Sequence, residues 1–223
     1  VDKLILDPAA MDATSVYKIM AGSIVPRPIG FLSTVSRDGV RNLAPFSFFN
    51  MVSHIPPLVS VSITQLMPSG RNKDTLANIL EIGEFVANIV DEKLARAVDV
   101  CAREYPPEVD EFVVAGVTPA PSTLVRPPRV EESMINFECE VAHIFPLPES
   151  VNTLVVGRVR LMHVHPDVMG NNGRIDIKRL APIGRLVGNA YCRTADSFTL
   201  DHDTFEHLTE AGHSSGAAEK RSS

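Results

Sequence analysis

The side chains best suited to chemistry gather at residues 69–75, SGRNKDT. Arg71 and Lys73 bring positive charge, Ser69 and Thr75 bring hydroxyls, and a helix starting near Asp74 presents unpaired backbone amides. Those are the groups that seat a phosphate. The same pattern also suits an ordinary helix start, with Asp74 or Thr75 as the cap and the cations in solvent. A second segment, residues 42–50, reads NLAPFSFFN. Its amides and Ser47 suit the polar edge of a flat ligand, with Phe46, Phe48 or Phe49 as a shield; alternatively the rings close one end of a β-barrel.

Other chemistries have weaker signals. His163 and His165 share a strand face, with His202 and His207 later, but no cysteine or carboxylate has matching spacing, so no metal is expected. Cys101, Cys139 and Cys192 form neither a zinc nor a disulfide framework. Cys101 and Cys139 fall on apolar faces, where a thiol behaves as a small hydrophobe. Cys192, between Tyr191 and Arg193, is the more accessible thiol, yet no base is positioned beside it. There is no GxGxxG, Walker loop or HExxH, which disfavours an ordinary dinucleotide fold.

These groups need a scaffold, and composition supplies the material for one. The 223 residues are 44% hydrophobic and 22% charged, a globular balance. A net charge of −6 argues against a general nucleic-acid binder while leaving room for a small basic pocket. No apolar run approaches the ~18 to 20 residues of a membrane span. The expectation is a cytoplasmic protein with one domain over residues 1–210 and a disordered tail over 211–223.

Local patterns place the motifs. Residues 28–36 form a strand closed by Arg37-Asp38-Gly39 into a hairpin whose second strand begins near Val40. In residues 58–64, Val59, Val61 and Ile63 face one side and Ser60 and Ser62 the other. From Lys73 the period becomes helical, with Leu76, Ile79 and Leu80 on one face and Gly83 as the stop. Residues 85–90 form a strand, and a second helix over 92–102 turns Leu94, Ala97, Val98 and Cys101 inward. The Pro-rich residues 118–128 wrap a surface. INFECEV, residues 135–141, sets Ile135, Phe137, Cys139 and Val141 against Asn136, Glu138 and Glu140. Residues 153–165 form a long strand with a bend or bulge at Gly157. Strands dominate and the two helices lie together, so a closed or partly closed antiparallel barrel with helices on one side is expected.

At this point the chain resembles a known family. The run PRPIGFLSTVSRDGVRNLAPFSFFNMVSHIPPLVSVSI, then GRNKDTLANILEIGEFVANIV, YPPEVDEF, VRPPRVEESMINFECEV and LAPIGRLVGNAYCRTADSFTL, is similar to the flavin-reductase-like, FMN-binding split-barrel proteins related to flavoredoxin. The likeness extends from Pro26 to Leu200. It implies a mainly β fold, a six-stranded antiparallel Greek-key split barrel with peripheral helices, and a homodimer with FMN near the interface. Carried onto this chain, it implies that Ser33 and Thr34 lie near the flavin and that Ala44, Pro45, Phe46, Ser47 and Phe48 line its polar edge. It puts Ser62, Ile63 and Thr64 along the ribityl chain and Ser69, Arg71, Lys73 and Thr75 at the phosphate. Arg185, Asn189 and Tyr191 belong to a later segment near the flavin or interface, where Val187 replaces a commoner glycine. The implied activity is hydride transfer from NADH or NADPH to FMN and on to a small-molecule or protein acceptor. An FMN-binding electron carrier and a non-enzymatic split-barrel protein are the alternatives. Neither nucleic acid nor membrane is an implied partner.

Overall fold

Gly39 takes φ +89°, a conformation glycine adopts at little cost, and the chain reverses there with Ser36 and Val40 hydrogen-bonded. In the computed structural model, which describes residues 2–66 and 69–200, this turn joins β1 (Gly30–Val35) to β2 (Arg41–Phe46). Next come β3 (Phe49–His54), β4 (Pro57–Thr64) and β5 (Glu84–Ile89). A short pair, β6 (Pro119–Ala120) and β7 (Arg129–Val130), precedes the long strands β8 (Ile135–Pro146) and β9 (Asn152–Val164), and β10 (Ile183–Arg185) and β11 (Tyr191–Arg193) make a terminal hairpin. The helices are α1 (Ala13–Ser23), α2 (Asp74–Ile82), α3 (Ala95–Cys101), α4 (Glu111–Ala115) and α5 (Ile177–Leu180).

The main sheet is antiparallel, in the order β2-β1-β5-β8-β9-β4-β3, with neighbouring hairpins joined by long-range pairings of β1 with β5, β5 with β8 and β4 with β9. It has seven strands, not the expected six. The count rises because residues 41–54 are interrupted at Ser47 and Phe48, so one bent stretch supplies both edge strands. The Phe48 carbonyl accepts from Ser62 N–H across this break at 2.9 Å.

Both faces of the sheet are covered. Leu32, Val61, Ile63, Phe85 and Val155 pack with Leu76 and Ile79 of α2 in one cluster. Phe31, Leu43 and Val90 pack with Val98 of α3 and Phe112 of α4 in another. Neighbours on β1 thus enter different clusters. Two-sided cover also corrects the alternation in INFECEV: Asn136 and Glu138 are as buried as its apolar partners. Residues 118–128 cross over them, and Glu138 accepts from the amides of Thr123 at 2.7 Å and Leu124 at 2.6 Å.

Other expectations are adjusted locally. Lys73 is the N-cap residue of α2, with no side-chain cap, in place of Asp74 or Thr75; Gly83 ends the helix at φ +76°. Leu80 is exposed. The second helix is split, because Asp91 caps a 3-10 turn over Glu92–Leu94 before α3 begins. The pairing of β8 with β9 shifts register opposite Gly157, and a Cβ on Gly157 would lie 2.3 Å from Phe85 Cζ. Close approach of that ring is what requires glycine. The expected tail over residues 211–223 lies outside the described residues, as do His202 and His207.

Candidate functional site

Three adjoining cavities, of about 650, 380 and 100 Å³, share Pro45 as a wall. Ser47 and Tyr17 border the first two; Phe46, Leu66 and Lys73 border the two smaller ones. The result is one groove running from the β10–β11 hairpin, past the break between β2 and β3, to the start of α2. The phenylalanine-rich connection and the cationic turn therefore face the same space.

The expected residues divide sharply by what their polar atoms already do. Ala44, Pro45, Phe46, Ser47, Phe48, Ser62, Thr64, Lys73 and Thr75 all line the middle or far part of the groove. Arg185, Asn189 and Tyr191 line the large end. Arg185 lies over the Tyr191 ring, 4.7 Å from its centroid, and donates to the Tyr191 hydroxyl. Asn152 donates to Ser62 and Thr64, 3.0 Å in each case, and fixes that wall.

Ser33 and Thr34 border none of the three cavities. Both are fully buried. Ser33 donates to the Pro128 carbonyl, and Thr34 donates to Asn42 Oδ1 and accepts from Asn78, each at 3.0 Å. They face packed elements because β1 is covered on both sides. The Ile63 side chain likewise belongs to the core.

At the phosphate-like end, Lys73 borders the groove, whereas Arg71 donates to Asp74 Oδ1 at 2.8 Å and borders none of the three cavities. Ser69 donates to Leu66 O at 3.2 Å and accepts from Arg71 N–H, so it serves the turn itself. Thr75 donates to Asn42 Oδ1 at 2.7 Å, which commits its hydroxyl proton. What remains available to an anion is Lys73 and the first-turn amides of α2, which no side chain caps. That donor set fits the phosphate of FMN.

Sequence reasoning missed several groove residues. Thr14, Tyr17 and Lys18 come from α1, a helix signalled by Asp12, whose carboxylate accepts from Ser15 N–H at 3.0 Å. Arg27, between two prolines, gave no pattern. Glu111 lies behind the small cavity, accepting from Asn42 Nδ2 at 2.9 Å and Leu43 N–H at 3.2 Å. Burial pushes its carboxyl up, against the pull of those donors.

The buried thiols are unsuited to nucleophilic work. Burial, and then the Glu111 charge, push Cys101 up to about 12, and burial pushes Cys139 up as well. His163 contacts Glu138 Oε1 at 2.6 Å, and His165 accepts from Asp167 N–H at 3.2 Å. Among the described residues, no group of three or more His, Cys, Asp or Glu side chains is arranged to hold a metal, and no helix is long and apolar enough to cross a membrane.

A family model described as a flavin reductase like domain matches residues 21–179. An uncharacterised protein of Halalkalibacterium halodurans is 39% identical over 209 residues, covering 92% of this chain and 99% of its own length. The crystal structure of nitrilotriacetate monooxygenase component B from Bacillus cereus is 37% identical with a TM-score of 0.85, covering 90% of this chain and 100% of that one. The 2-nitrobenzoate 2-nitroreductase of Pseudomonas fluorescens is 29% identical with a TM-score of 0.80, over 89% of this chain and 95% of that one.

Proposed function

This chain belongs to the flavin-reductase-like, flavin-binding family, and from that premise we propose that it is an FMN-dependent oxidoreductase drawing hydride from NADH or NADPH. The observation that carries this reading is the continuity of the groove between the start of α2 and the connection from β2 to β3. Lys73 and the uncapped amides hold the phosphate. Residues 44–48 hold the ring edge, largely through backbone atoms, and the wall at Ser62 and Thr64 borders the stretch between. Bound FMN supplies hydride acceptance and one- or two-electron release, so no side chain has to act as acid or nucleophile.

The large end of the groove receives the nucleotide donor. Lys18, Arg27 and Arg185 line it without any Asp or Glu, in a chain of net charge −6, so its field attracts a phosphate-bearing ligand. Electrons leave to a small-molecule or protein acceptor. Bacillus cereus nitrilotriacetate monooxygenase component B, by its name one part of an oxygenase, favours an acceptor outside this chain. We place the protein in the cell as a homodimer.

Anaerobic mixing of the FMN-loaded protein with NADH or NADPH tests the assignment. Loss of the oxidised-flavin absorbance with at least one donor is expected. Tight FMN retention without bleaching by either would make the protein an electron carrier, and failure to retain FMN would remove the flavin site.

A further inference from the structure

Arg27 stands apart from the other cations of the large cavity because it is buried, only 6% exposed. Its Nη1 donates to the carbonyls of Ala21 and Ile24 at the C-terminal end of α1, and its Nη2 donates to Leu186 O at 2.9 Å. Its backbone exchanges hydrogen bonds with Arg185, at 3.0 and 2.9 Å. No carboxylate among the described residues forms an ion pair with it. Among the described residues its charge is balanced by carbonyl dipoles, the negative end of a helix and one hydroxyl oxygen. A guanidinium keeps that charge inside a protein.

The remaining bond has a directional consequence. Arg27 Nε donates to Ser47 Oγ at 3.3 Å. A hydroxyl has one proton, and with its oxygen accepting from Arg27 that proton is left to donate elsewhere. Ser47 borders both larger cavities, so it offers a donor to the groove. Thr75 is the opposite case, its proton already given to Asn42.

Hydride uptake brings two electrons and one proton to a flavin ring and leaves it one unit more negative. A fixed cation and an oriented donor stabilise such added charge more than they stabilise the neutral oxidised ring. We propose that Arg27 is a positioning residue that biases bound FMN toward its reduced, negatively charged form, by holding the Ser47 hydroxyl as a donor and by keeping an unpaired positive charge beside the groove. This deepens the FMN assignment and rests on it.

The test is the ratio of affinities for reduced and oxidised FMN. Fluorescence titration gives the oxidised affinity, and anaerobic spectroelectrochemistry of free and bound FMN gives the difference between the two states. Arg27→Gln should lower the preference for reduced FMN by about tenfold, equivalent to ~30 mV in a two-electron couple. Ser47→Ala should lower it by less, and Arg27→Lys, which keeps charge but loses the fork, should fall between wild type and Arg27→Gln. If Arg27→Gln does not fold, the other two variants decide. Wild-type ratios in both Ser47→Ala and Arg27→Lys, with FMN still bound, would overturn the role of Arg27 and leave the FMN site standing. A wild-type chain that binds no FMN would overturn both.

Discussion

Two cations two positions apart have different tasks. Arg71 is tied to Asp74 at the surface, while Lys73 borders the groove beside the uncapped start of α2. A charged hydrogen bond is worth about 1.5–3 kcal/mol, so Lys73→Ala should weaken FMN binding by roughly 10- to 150-fold. An exposed ion pair contributes about 0–1 kcal/mol, so Arg71→Ala should change it only a few-fold. Fluorescence titration of the two variants checks the order, and equal losses would place Arg71 on the phosphate. SGRNKDT was legible as cations and hydroxyls gathered at a helix start. Which donors were already spent was not, because the partners Asp74, Asn42 and Leu66 are assigned only by the folded geometry. Ser33 and Thr34 show the same limit: small polar residues beside a flavin and small polar residues in a buried network look identical in a strand of six.

Among the elements, the strap over residues 118–128 best shows what patterning misses. Alternation located β8, and proline chemistry located the strap, but neither says that one covers the other. Glu138 is where they meet. It is fully buried and accepts from Thr123, Leu124 and Val125 amides as well as contacting His163. Burial by itself would raise its carboxyl, but the amides of Thr123 and Leu124 and the His163 ring outweigh that and hold it below the ordinary 4.5. Glu138→Ala should cost about 3–5 kcal/mol at pH 7, the range for breaking a buried charged contact, as read by urea unfolding. A group whose folded value is depressed stabilises above its unfolded value and loses that contribution as pH falls through the folded one. The difference between variant and wild type should therefore shrink below pH 4.5. A constant difference down to strong acid would assign the effect to packing.

At the scale of the whole molecule, β3 ends the sheet and carries Met51, Val52 and, just beyond it, Ile55, all more than half exposed. An edge strand with apolar side chains invites cover by another chain. Sedimentation should give twice the 24.3 kDa chain mass, and Met51→Lys with Ile55→Lys should return it to one. A monomeric wild type would remove the homodimer. Barrel class and the two helices flanking β5 were legible from period and turn residues. What patterning did not show is that one bent stretch, residues 41–54, supplies both edge strands of the sheet. That stretch gives the molecule a clasp. Between Ser47 and Phe48 the two edge strands are joined by covalent chain and not by a ladder, and the groove opens there. Residues added at the clasp would resize the mouth of the groove at a point outside the strand ladders, so ligands of other shapes can be accommodated there without re-registering the sheet.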